Sequence, residues 1–373
     1  MILILFYSTI SFLCFSIYMK RNNYMFLFYT IGLGMIFLSG MRSIGFGADD
    51  LNYANLFLNI DNILPSFVGG YNFSHVNMSP FLVYFAKIIH LFFDDSSVFF
   101  LCVAFLSIWL KLYSISRLSL FPFISLLLYF SNLYFQMDLN QIRAGLSLGF
   151  LFLSFLFLIQ NRFIFSLLFS FFAILTHISA LVFLPCYFFV QKEFRRNFYF
   201  FILIVAYLVS IYGLGHALSI TTSSIPFLGE KISYYLEISK YNNALSFFDI
   251  VNVKNSFIVI FALIFFSRLK AKSIYFLPIF NVFFYSVVLR YILGDFSVLA
   301  ARSSIMLNFS EWLLVPIFFT IFKNKLIPLI LVLIYCFVEF YILLLAHNWA
   351  GDLGVMYLKG DVNDLFFGAI FKR

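Results

Sequence analysis

Eleven apolar runs, separated by short polar breaks, dictate the solvent in which this chain folds. They cover residues 1–19, 24–40, 97–113, 118–137, 144–160, 163–190, 198–216, 256–267, 274–293, 298–322 and 326–346. Most approach the ~20 residues that a helix needs to span a bilayer. Charged residues make up only 11% of the chain, against about 25% in a soluble domain. So few charges cannot cover the surface of a water-soluble fold of 373 residues, and the lipid has to solvate most of it. The expectation is an all-α, polytopic membrane helix bundle forming one domain over residues 1–373. Its N-terminal run reads as a first span rather than a cleaved leader.

Other compositional signals are weaker. The 58 phenylalanines and 23 tyrosines are either lipid-facing filler or an aromatic groove that stacks on sugars. Cys14, Cys102, Cys186 and Cys336 lie in apolar runs without metal-ligand or CxxC spacing, as buried small hydrophobes do. The net charge of +8 comes from single or paired basic residues between apolar runs. That pattern orients a membrane protein and does not bind nucleic acid. No GxxxxGK[ST] loop and no HExxH element occurs, so neither a nucleotide-driven pump nor a metal or cofactor centre is expected.

Two segments decide the pass count. Segment 80–93 is short and carries Lys87 and His90. Segment 163–190 is too long for one straight helix and is interrupted at Thr176–His177 and Pro185. If 80–93 stays on the outer face and 163–190 is broken, the inner side receives thirteen basic residues, Lys111, Arg117 and Arg162 among them, against one acid, Glu193. Making 80–93 a full span would put those three outside, against the positive-inside rule. The favoured layout has about twelve membrane segments and both termini outside. Two long outer loops follow, about 41–96 and 217–255, with an outer tail, 347–373.

Ionisable residues at membrane depth are costly and mark function by default. Four clusters stand at the expected outer boundary: Arg42 to Tyr53, Asp138 to Gly145, Thr176 to Ala180, and Ala301 to Ser304 with Glu311 and Trp312 beyond. Arg42, Arg143 and Arg302 either snorkel to the interface or bind the oxygens of a lipid phosphate or pyrophosphate, a geometry that suits guanidinium. His177 is either a hydrogen-bonded structural residue or a base and sugar-hydroxyl contact. Asp49 and Asp50 either close a solvated turn or supply a carboxylate. Gly145 and Gly149 are spaced as a packing face.

In this order, the clusters resemble the EpsG/Wzy group of bacterial polysaccharide polymerases. Arg42 with Gly47, Asp49 and Tyr53 is similar to that group's Arg and G-x-D-x-x-x-Y stretch. Asn140 and Arg143 are similar to its N-x-x-R element, His177, Ser179 and Ala180 to its H-x-S-A element, and Arg302 to its late arginine. The chain departs from the group at Asp50, where an aromatic is common, and at the Ser-Ser-Ile-Met that follows Arg302.

The resemblance implies a GT-C-like bundle with two long periplasmic loops in the bacterial inner membrane. It implies a membrane glycosyltransferase that joins oligosaccharide repeat units carried on undecaprenyl pyrophosphate, with a chain-length regulator as partner. In that reading Arg42, Arg143 and Arg302 bind the pyrophosphate, Tyr53 and Asn140 position sugar or support the arginines, and His177 or Asp49 serves the acceptor hydroxyl. Two rivals share much of the logic: an O-antigen ligase delivering glycan to lipid A-core, and a flippase or transporter of the lipid-linked unit. A path through both leaflets would favour transport, but the special residues gather on one side.

Overall fold

The computed structural model describes residues 2–18, 24–47, 49–60, 71–73, 76–212, 245 and 249–346. The expected outer tail 347–373 and most of the expected loop 217–255 lie outside the described residues. The chain is overwhelmingly helical, as the apolar runs require. The one sheet among the described residues is a hairpin of β1 (Tyr71–Phe73) and β2 (Val76–Met78). The residues group into two compact units, 1–180 with 322–373, and 181–321.

The first unit is built from α1 (Ile2–Leu13), α2 (Met25–Gly40), α3 (Asp50–Leu58), α4 (Pro80–His90), α5 (Ser96–Leu118), α6 (Pro122–Ser131), α7 (Ile142–Ile159) and α8 (Phe163–Thr176). Local chemistry sets several of their ends. The Asp95 side chain accepts from Ser97 N–H at 2.8 Å and caps α5. Pro80 and Pro122 open α4 and α6, where a missing N–H costs nothing. Between α6 and α7 the backbone widens into a π turn, Tyr134–Asp138. Leu139 N–H there reaches back five residues to the Tyr134 carbonyl at 3.1 Å.

Helices α5 and α7 form the centre, with α2 packed on α5 and α8 on α7. Small residues permit the close approach, as helix association in lipid requires. A Cβ on Gly149 would stand 2.9 Å from the Ser107 carbonyl, and one on Gly145 would stand 3.0 Å from Asp138 Oδ1. These two glycines are therefore the packing face that their spacing suggests. Hydroxyls join α7 to α8: Ser147 Oγ donates to the Ala173 carbonyl at 2.9 Å, and Ser154 Oγ sits 3.0 and 2.8 Å from the hydroxyls of Ser166 and Ser170. Helix α16 (Leu326–Ala346) also belongs to this unit and packs on α6.

The second unit holds α9 (Cys186–Phe189), α10 (Arg196–Tyr212), α11 (Ile250–Ile264), α12 (Phe266–Lys272), α13 (Phe276–Ile292), α14 (Ser297–Ile305) and α15 (Phe309–Phe318). Asp249 caps α11 by accepting from Val251 N–H at 3.1 Å. Helices α11 and α12 bend by 78°, and α14 and α15 by 62°.

A helical membrane bundle fits, but its spans are built differently from the apolar runs. By length and composition, α5, α7 and Leu326–Leu343 of α16 can each cross a membrane alone, and the two bent pairs bring the number to five. The remaining apolar helices have 10 to 17 residues. Helix α4 has eleven residues, or roughly 16 Å at 1.5 Å per residue, too short to cross. The long run 163–190 does break at His177, where the backbone turns extended (φ −154°, ψ 123°) before a 3-10 segment, Ile178–Phe183. The run 298–322 breaks as well, at Met306–Asn308, which its composition does not announce.

One expectation is overturned. Lys111 is not an inner-loop charge. Helix α5 continues to Leu118, and the Lys111 side chain is fully buried against the π turn. A carboxylate that lies 27 positions later along the chain captures its ammonium, so it has no need to snorkel to water.

Candidate functional site

Arg42 lies two residues beyond the C-terminal end of α2, and the loop that follows folds back over it. Arg42 Nη2 meets Asp50 Oδ1 at 2.6 Å and Nε meets Asp50 Oδ2 at 3.2 Å, while Nη1 donates to the Ser39 carbonyl at 2.6 Å. The guanidinium also stands 5.0 Å from the centroid of the Phe100 ring. The Gly47 N–H donates to Asp50 Oδ2 at 2.8 Å. A Cβ on Gly47 would press on Asp50 at 2.8 Å and on the Leu139 carbonyl at 2.9 Å, so only glycine fits. Both charged side chains are at most 2% exposed. This bidentate pair fixes the loop, and it occupies the guanidinium that the sequence assigned to a ligand.

The pair connects to a second one through Ser39. Ser39 Oγ donates to the Asp138 carbonyl at 2.6 Å. The Asp138 carboxylate receives Lys111 Nζ at 2.6 and 2.7 Å, Ser107 Oγ at 2.5 Å and Tyr129 Oη at 2.7 Å. Tyr134 Oη donates to the Met35 carbonyl at 2.7 Å and ties the same π turn to α2. Sequence reasoning named Asp138 within a cluster but gave it no role, and it missed Lys111, Ser107 and Tyr129. The available signal was Ser107 and Lys111, one turn apart in an otherwise apolar helix.

This scaffold presents Arg143 in the first turn of α7. Arg143 Nε donates to Tyr53 Oη at 2.9 Å, with its guanidinium 5.7 Å from the Tyr53 ring centroid. Burial pushes the Tyr53 phenol up to about 12, although the Arg143 charge pulls it down; Asp49 adds a smaller upward push. The phenol therefore keeps its proton and can donate onward while accepting from Arg143. Unlike Arg42, Arg143 is only half-buried. Asn140 is half-buried in the turn before it, and Asp49 is half-buried at the start of α3 without a side-chain capping bond.

His177 ends α8, and its N–H donates to the Ala173 carbonyl at 2.8 Å. Ser147 on α7 is bonded to that same Ala173 carbonyl, and the two helices run antiparallel. Carried one turn further, this register sets His177 level with Arg143. The Ser179 N–H donates to His177 Nδ1 at 3.3 Å. With Nδ1 accepting, a neutral ring carries its proton on Nε2 and offers a donor there.

The structure thus brings Arg42, Asp49, Tyr53, Asn140, Arg143 and His177 into the first unit. Arg302 belongs to the second unit, exposed on α14. The second unit has its own buried polar groups, which the sequence did not single out as a set. Arg290 donates to Asn252 Oδ1 at 2.8 Å and Asp249 Oδ1 at 2.9 Å, and Lys254 meets Glu311 at 2.9 Å. Among the described residues, no three His, Cys, Asp or Glu side chains are grouped as metal ligands.

Comparison with known proteins adds two matches. The profile of the EpsG family matches residues 25–355. The amylovoran biosynthesis protein AmsC of Erwinia amylovora is 25% identical over 314 residues, which cover 82% of this chain and 81% of that protein. No solved structure matches the chain.

Proposed function

Because this chain belongs to the EpsG family, we propose that it is a membrane glycosyltransferase that polymerises a bacterial polysaccharide. In this reading it joins oligosaccharide repeat units carried on undecaprenyl pyrophosphate, at the periplasmic face of the inner membrane. The observation that carries the proposal is the Tyr53–Arg143 pair at the start of α7, level with His177 at the end of α8. Similarity to a protein named for amylovoran biosynthesis supports the same class of product.

The proposed step transfers a growing glycan. A hydroxyl of the new unit attacks the anomeric carbon of the chain's lipid-linked sugar, the bond from that carbon to the phosphate oxygen breaks, and the lipid pyrophosphate leaves. Negative charge develops on the leaving oxygen. A preorganised guanidinium aimed there lowers the barrier without needing a general acid. Arg143 takes this role, with Tyr53 fixing its plane and Asn140 beside it. Arg302, exposed on α14 of the second unit, is kept as a proposed phosphate-binding residue in its own right. Arg42 is removed from direct contact, since Asp50 and Ser39 already hold it.

The acceptor's proton goes to Asp49, the half-exposed carboxylate of the first unit's cluster. His177, donating from Nε2, orients the acceptor hydroxyl or a phosphate oxygen rather than removing a proton. A chain-length regulator remains a proposed partner.

The test is a deletion strain complemented with variants, read as surface-glycan ladders. Deletion leaves single repeat units if the chain is a polymerase and none if it is a ligase. Arg143→Ala should leave an inserted protein that makes single units only. A normal ladder from that variant would remove the arginine from the reaction.

A further inference from the structure

The second unit contains an apolar groove of about 250 Å³, lined by Phe189, Phe194, Phe198, Tyr199, Phe284 and Tyr285 with three further residues. Its floor is apolar because its polar atoms are consumed internally. Tyr199 Oη donates to Asn281 Oδ1 at 2.6 Å. Asn281 Nδ2 in turn donates to the carbonyls of Phe189, Val190 and Lys192 at 3.1, 2.9 and 2.8 Å. A peptide laid there would leave its amides without partners, whereas hydrocarbon would not.

The segment that supplies Phe194 and Phe198 is also strongly basic. Lys192, Arg195 and Arg196 are all exposed, and Asn281 pins the Lys192 backbone to the groove floor. The intervening acid, Glu193, is engaged by Lys270. The three cations have no ion-pair partner among the described residues. An apolar slot thus opens beside three uncompensated positive charges on one short segment.

We propose that this groove binds one anionic glycerophospholipid. An acyl chain lies against Phe194, Phe198 and Tyr285, and the phosphate sits over Lys192, Arg195 and Arg196. Basic side chains near a membrane surface favour an anionic headgroup over a zwitterionic one. The site selects headgroup charge through those side chains and accepts the chain through the aromatic lining.

The experiment is native mass spectrometry of the full-length protein in mild detergent. The probes are phosphatidylglycerol, phosphatidylcholine with the same acyl chains, and undecaprenyl phosphate, added separately and in competition. One phosphatidylglycerol should be retained per chain, about tenfold better than phosphatidylcholine. The triple variant Lys192→Ser, Arg195→Ser, Arg196→Ser should lose that preference. Equal retention of the two phospholipids overturns the proposal, as does an unchanged preference in the variant. Undecaprenyl phosphate displacing phosphatidylglycerol would assign the groove to the lipid carrier instead. If the variant does not insert, the headgroup comparison on the unaltered chain decides alone.

Discussion

Lys111 Nζ lies 2.6 Å from Asp138 Oδ1, with the two side chains 0% and 1% exposed. An ion pair this deep is held by geometry and extra donors, and Asp138 has both in Ser107 and Tyr129. Removing one partner strands the other charge. Lys111→Met should therefore cost about 3–5 kcal/mol and deplete the inserted protein. The double variant Lys111→Met, Asp138→Asn should recover much of it. Protein yield and thermal unfolding in detergent measure both, and a mild single variant would contradict the burial.

Arg42 and Arg143 should separate by phenotype. Arg42→Lys cannot reproduce the two-pronged contact with Asp50, so it should lower protein yield. Arg143→Lys should leave yield near normal and shorten the glycan chains. Immunoblots run beside the glycan ladders compare the two, and a yield defect confined to Arg143 would reverse the assignment.

Tyr53→Phe should retain the fold and weaken the hold on Arg143. A hydrogen bond to a charged group contributes about 1.5–3 kcal/mol, so a drop in polymerisation of roughly ten- to a hundredfold is expected with normal protein yield. A response larger than that of Arg143→Ala would argue for a separate role.

The same phenol gives a pH signature. Its folded value of about 12 stands above the ordinary 10. Above pH 10 the unfolded chain releases this proton while the folded chain keeps it, so stability falls as pH rises from 10 towards 12. Below pH 10 Tyr53 contributes no slope. Thermal unfolding from pH 8 to 11 should show a smaller alkaline decline in Tyr53→Phe than in the unaltered chain.

Topology can be read from two exposed ends. Helix α5 has 23 residues, or ~35 Å of length. Asp94→Cys, just before it, should react with an impermeant maleimide from outside. Arg117→Cys, in its last turn, should react only after permeabilisation. Outside labelling at Arg117 would invert the arrangement.

The features that sequence made visible are those written in local chemistry. The break at His177 follows from a polar Thr-His pair inside a run too long for one helix, and the shortness of α4 follows from Pro80, Lys87 and His90. The meeting of Tyr53 and Arg143 fits the outer boundary expected of both motifs. What stayed hidden depends on partners distant in sequence. Whether Lys111 reaches for water or stays inside depends on Asp138, and whether Arg42 greets a ligand depends on which of two adjacent aspartates faces it. The bend between α14 and α15 has no Gly or Pro at Met306–Asn308 to signal it.

The π turn at Tyr134–Asp138 makes the spacing of this segment matter as much as its side chains. Five residues occupy what ordinary winding would fill with about four. Losing one would rotate Asp138 by about 100° around the helix axis, away from Lys111, and drag the start of α7 with it. Insertions and deletions should therefore be far less tolerated here than substitutions of equal chemical severity. Any natural variant one residue shorter in this stretch would need a replacement for the Lys111 salt link and a second change to restore Arg143 to Tyr53.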